Sequence, residues 1–81
     1  MRFFFNLAGA VSDPDDLGYE LATMSDARMM AAKEVALTLH DRPELAWRGE
    51  EVRLEVTDEH RTLLFSVAVL GVDGSAAREL S

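Results

Sequence analysis

From Arg2 to Leu7 the side chains alternate. Phe3, Phe5 and Leu7 fall on one side of an extended chain, and Arg2, Phe4 and Asn6 on the other. A period of two predicts a strand with one buried face. Gly9 to Asp16 holds a glycine, Pro14 and three aspartates and reads as a turn. Gly18–Leu21 is expected to form a short second strand that pairs back as a hairpin. The period then changes. Met24, Ala27, Ala31, Val35 and Leu39 recur at three or four positions and share one helical face, while Asp26, Lys33, His40 and Asp41 lie mostly opposite. The helix is expected from Asp26 to about Asp41. Ser25 is its expected N-cap, and Asp26 sits at the positive end of the dipole. Pro43 disfavours helical geometry at Arg42, so Pro43–Glu50 reads as a loop carrying Trp47.

Period two returns in Glu51–Asp58, with Val52, Leu54 and Val56 on one side and Arg53, Glu55 and Thr57 on the other. Asp58–Arg61 is a polar turn of hairpin length. Thr62–Leu70 is a strand that is apolar on both sides, with Leu63, Phe65, Val67 and Val69 opposing Leu64, Ser66, Ala68 and Leu70.

The order β-β-α-β-β predicts an α+β domain over residues 1–70, with one helix packed on a small four-stranded, mostly antiparallel sheet. Residues 71–81 are expected to be a flexible C-terminal tail. One helix covers one sheet face. The other face is predicted to carry Phe4, Leu64, Ala68 and Leu70 beside Arg53, Glu55 and Thr57. Such a half-apolar face suits a dimer or partner contact, and Trp47 is a candidate anchor for it. The competing reading is that the tail or Trp47 folds over this face. Met24 is expected in the core, and Met29 and Met30 project away from the main apolar face.

These segments have a familiar arrangement. Arg2-Phe3-Phe4-Phe5-Asn6 opens the chain with a basic residue, aromatics and a short polar residue. Asp16-Leu17-Gly18-Tyr19-Glu20-Leu21 gives an acidic-x-Gly-x-Glu-Leu segment. Ala27, Ala31 and Glu34 lie on an Ala-rich helix face. Val52-Arg53-Leu54-Glu55-Val56-Thr57-Asp58 and Leu63-Leu64-Phe65 form a closing hairpin. Over residues 2 to 70 the chain resembles a family of short, mostly alphaproteobacterial proteins catalogued as a domain of unknown function, the one numbered 6894. The closing turn departs from that pattern, because it lacks the glycine that often follows the acidic residue. The resemblance implies a fold and no activity.

Composition narrows the functions. At 81 residues the chain forms one domain. Its 48 % hydrophobic content exceeds that of a disordered chain. It has no cysteine, which excludes disulfides, thiolate metal sites and a cysteine nucleophile. A net charge of −7, with eight Lys and Arg spread along the chain, argues against nucleic acid. Asn6 interrupts the N-terminal apolar run, so no signal peptide is expected, and no run is long enough to span a membrane. The expected location is the cytoplasm.

The acidic run Ser12–Leu21 invites a metal reading through Asp13, Asp15, Asp16 and Glu20. It fails the EF-hand pattern: counted from Asp13, position five is Leu17 and position twelve is Met24. The alternative is a solvated turn in which Gly18 takes a positive φ. His40 near the helix end and His60 in a turn are the candidate bases. No nucleophile elbow surrounds Ser66, the serine that would pair with His60 and Asp58. No phosphate loop is present. No cofactor and no catalytic residue are expected. The expected function is a non-catalytic interaction or regulatory module that self-associates, as a homodimer, or docks another protein. The alternative is a small-ligand or divalent-metal binder using residues 13–20.

Overall fold

The computed structural model describes residues 1–80. In chain order the elements are β1 (Arg2–Gly9), β2 (Tyr19–Glu20), α1 (Met24–Asp41), a 3-10 helix (Pro43–Trp47), β3 (Val52–Thr57), β4 (Leu63–Val69) and α2 (Ser75–Arg78). The sheet order is β2-β1-β3-β4, and every pairing is antiparallel. This is the α+β architecture expected, with α1 laid across one sheet face.

The alternating residues explain that placement. Phe3, Phe5, Leu54 and Val56 join Ala27, Ala31 and Val35 in one buried cluster, with Leu7, Met24, Leu39, Val67 and Val69 packed around it. Small alanines on the buried face of α1 let the helix approach the sheet closely enough for the phenylalanines to fill the layer between. Removing these side chains from water contributes about 25 cal/mol per Å² of apolar area.

The structure corrects several expected boundaries. The N-cap of α1 is Thr23, not Ser25. Thr23 is extended (φ −136°, ψ 159°), and its hydroxyl accepts the backbone N–H of Asp26 at 3.0 Å. Ser25 is already helical. The expected loop 43–50 contains a 3-10 helix that buries Leu45 completely. Proline suits the first turn of that helix, where its missing N–H costs nothing. Gly71 docks against the same element: its N–H donates to the Ala46 carbonyl at 2.7 Å, and a Cβ there would lie 2.7 Å from Trp47 Cε3. Within the predicted tail, Ser75–Arg78 forms a single exposed helical turn. Ser81, the last residue of that prediction, lies outside the described residues.

The largest correction concerns β4. Val56 pairs with Phe65, but the next residue, Thr57, pairs with Leu63, so Leu64 is the extra residue of a bulge. Leu64 therefore packs against the helix-side core, while Leu63 stays 54 % exposed opposite Thr57. The expected assignment of these two leucines is reversed.

Candidate functional site

The second sheet face is formed by Arg2, Phe4, Asn6 and Ala8 of β1, Arg53, Glu55 and Thr57 of β3, and Leu63, Ser66 and Ala68 of β4, as the registers require. Its two ends differ. The β1 end is sealed by the acidic run; the β4 end is not.

Sealing begins at the outer edge of β1. There β2 pairs only with Arg2 and Phe3. The next outward N–H, that of Phe5, donates to Asp15 Oδ2 at 3.1 Å. The one after, that of Leu7, donates to the Asp13 carbonyl at 3.0 Å, and Asp13 N–H donates back to Leu7 at 3.1 Å. A carboxylate thus stands in for the missing rung of a strand. The other oxygen, Asp15 Oδ1, accepts from Leu17 N–H and Gly18 N–H, both at 3.0 Å. Gly18 has φ +71°, and an added Cβ would lie 2.8 Å from the Phe3 carbonyl, so the close turn requires glycine.

Two residues that sequence reasoning left unassigned complete the seal. Asn6 Oδ1 accepts Asp15 N–H at 2.9 Å, and its amide nitrogen donates to the Glu55 carbonyl at 3.2 Å. Arg61 donates to the Asp15 carbonyl at 3.1 Å and places its guanidinium 4.4 Å from the centre of the Phe4 ring. Phe4 is consequently 8 % exposed. It is covered by its own chain and does not belong to an open partner face. The polar Asn6 inside an aromatic strand was the available signal for the first clasp.

Electrostatics agree with this geometry. Burial pushes the Asp15 carboxyl up. The N–H groups of Gly18, Phe5 and Leu17, together with the Arg61 charge, outweigh it and hold the group below its usual range. Glu20 is held low mainly by its hydrogen bond to the terminal ammonium at 2.6 Å, with Arg2 at 3.9 Å. Asp16 is exposed. A shallow cleft of about 340 Å³ runs between the loop and the helix, lined by residues that include Asp13, Asp16, Tyr19 and Glu34. Among the described residues, no three carboxylates or histidines gather as a metal-binding group. Asp58 Oδ1 accepts the backbone N–H groups of His60 and Thr62, which fixes the turn and does not align an imidazole with Ser66.

The β4 end is different. Phe5 N–H points away from β3, so the β1 groups that face β3 are those of Phe4, Asn6 and Ala8, opposite Thr57, Glu55 and Arg53; Val52, Leu54 and Val56 then face β4, opposite Val69, Val67 and Phe65. Among the described residues, no strand follows β4 in the sheet order. Strand alternation then leaves the backbone N–H and C=O groups of Ser66 and Ala68 facing outward. Ser66, Ala68 and Leu70 are exposed, and Trp47, set against Gly71, is 62 % exposed just beyond the strand. Arg53 lies inside the sheet, paired with Glu51 at 2.9 Å and Glu55 at 3.3 Å, and both carboxylates raise its basicity. Of the six residues expected on the partner face, Trp47, Ala68 and Leu70 line one open edge. Arg53 is engaged in ion pairs, and Phe4 and Leu64 are withdrawn into packing.

Fold and site together define a small α+β domain with one guarded and one open sheet edge. The family model described as "Domain of unknown function (DUF6894)" matches residues 2–71, and the chain belongs to that family. No curated protein and no solved structure matches the chain. Among the described residues, no helix is long and apolar enough to cross a membrane.

Proposed function

We propose that this domain is a non-catalytic interaction module that docks a protein by strand addition along β4. The observation that supports it most is the contrast between the two sheet edges. The β1 edge is occupied by residues 13–20, down to a carboxylate placed on a single N–H. The β4 edge presents outward backbone groups, no proline and no charged residue from Thr62 to Val72. Edge strands are ordinarily blunted by charge, proline or cover, and added strands gain affinity through main-chain hydrogen bonds. The net charge of −7 disfavours nucleic acid as the partner, and the cysteine-free composition suits the cytoplasm.

The test compares affinity capture by the wild-type chain and by Ser66→Pro. Proline removes one outward N–H and leaves the inward ladder to β3 intact. A protein retained by the wild type and lost with the folded variant is the expected result. Equal recovery by both overturns the reading.

The shallow cleft that Asp13, Asp16, Tyr19 and Glu34 help to line supports a second reading, a small-ligand or divalent-metal binder, and supports its small-ligand form better, because no three of the described carboxylates gather as a metal-binding group. Ligands that bind only the folded state raise its melting temperature. A melting temperature indifferent to calcium, magnesium and manganese removes the metal form of that reading.

A further inference from the structure

We infer that the strand added to β4 is β4 of a second copy, so that two four-stranded sheets join across a two-fold axis into one continuous antiparallel sheet. The inference rests on the strand-addition reading and names its partner.

Three observations single out a second copy. The first is electrostatic. Each chain carries −7, which opposes self-association over most of its surface. The β4 edge is the exception, because Thr62 to Val72 contains no charge and two such edges meet without a like-charge pair. For the same reason, the edge carries nothing to select a charged partner. The second is the unfinished core. In β3, Val52, Leu54 and Val56 are at most 1 % exposed, whereas Leu64, Phe65, Val67 and Val69 of β4 pack on the same helix-side layer and remain only half-buried. A copied β4 brings the same apolar row and continues that layer. The third is symmetry. An antiparallel edge is complementary to itself under a two-fold axis, so the outward donors and acceptors of Ser66 and Ala68 meet the same set on the copy. On the other face Ser66 and Ala68 are small, so they raise no steric barrier to the approach.

The test is the mass of the purified chain in solution, measured by light scattering over a concentration range. The wild type should reach twice the chain mass. Ser66→Pro and Ala68→Lys should remain at the single-chain mass with an unchanged circular dichroism spectrum. Ala68→Lys changes an exposed side chain opposite Arg53, whose charge is already paired by Glu51 and Glu55, and places on the edge the charge that other edge strands carry, so it keeps the test valid if the proline variant misfolds. Hydrogen exchange of the wild type supplies a readout independent of both variants. The Ser66 and Ala68 amides should be protected at high concentration and exchange freely on dilution. A wild type that stays at single-chain mass throughout, or a double mass unaffected in both folded variants, overturns the inference. The strand-addition reading fails separately. A single-chain wild type that still captures another protein through Ser66 overturns the second copy alone, and capture insensitive to Ser66→Pro overturns the reading beneath it.

Discussion

The carboxylate of Asp15 accepts the backbone N–H of Phe5 at 3.1 Å, across ten residues of chain. It fills the one rung of the β1 edge that neither β2 nor Asp13 reaches. The same side chain holds the Leu17 and Gly18 amides, so one residue both closes an edge and shapes the loop that closes it. Asp15→Ala leaves the Phe5 N–H without its partner. A hydrogen bond to a charged group contributes about 1.5–3 kcal/mol, and partial exposure puts this one at the low end. For a domain of this size the expected fall in melting temperature is about 5–10 °C. Asp16→Ala, at an exposed neighbouring position, should change it little. Equal effects at the two positions would show that the loop is only a solvated acidic turn.

Asp15 also sets an acid limit. Its folded-state carboxyl titrates below the ordinary 3.8 because three N–H groups and Arg61 outweigh the effect of burial. A group with a depressed folded value adds stability above its unfolded value and loses it as pH falls through the folded one. The wild-type melting temperature should therefore hold between pH 7 and about 5 and decline below about 4. Asp15→Asn lacks the charge from the start, so its curve should fall less steeply and approach the wild type at low pH. Glu20 and Glu44 are also held low but are present in both proteins and cancel in the comparison. Parallel curves would refute the assignment.

Arg61 takes φ +63°, the only non-glycine residue among those described with a positive value. The expected glycine of the closing turn is absent, and Arg61 accepts the left-handed conformation while reaching back over Phe4 and Asp15. Backbone and side chain thus make opposite demands at one position. Arg61→Ala loses the stacking, which contributes about 0.5–1 kcal/mol at such exposed sites, and keeps the strained backbone. Arg61→Gly loses the same stacking and relieves a strain of about 1 kcal/mol. Glycine should therefore melt above alanine, and near the wild type. Limited proteolysis of the 13–18 loop should report loosening in both variants, which separates the clasp from the backbone effect.

Where a single periodicity governed a segment, the sequence was legible. Period two in residues 2–7 and 51–58 and the three-to-four spacing of Met24, Ala27, Ala31, Val35 and Leu39 placed the core on the correct faces. Two cap-competent residues, Thr23 and Ser25, stood two positions apart, and only backbone geometry separates them. The seal over Phe4 was hidden for another reason. The Asp15 carboxylate that closes the β1 edge accepts from backbone N–H groups up to ten residues away, and main-chain donors leave no mark in residue identity; Arg61, which covers Phe4, lies in a turn far along the chain. The open edge followed from strand order, which residue patterns do not encode.

The β4 register was ambiguous because both of its candidate faces are apolar. In Leu63-Leu64-Phe65, sliding by one residue exchanges a leucine for a leucine, and hydrophobicity has no preference. The bulge resolves this by seating Leu64 and Phe65 on the core side and leaving Leu63 outside. Glutamate at the two positions reads the register directly. Leu64→Glu drives a carboxylate into the edge of the core and should cost several kcal/mol, on the order of 3, enough to unfold much of so small a domain. Leu63→Glu changes a side chain that is already 54 % exposed and should stay within about 0.5 kcal/mol of the wild type. Urea titration followed by Trp47 fluorescence or circular dichroism measures both. The opposite ranking would place Leu63 in the core, remove the bulge, and return Leu64 to the open face beside Ser66 and Ala68.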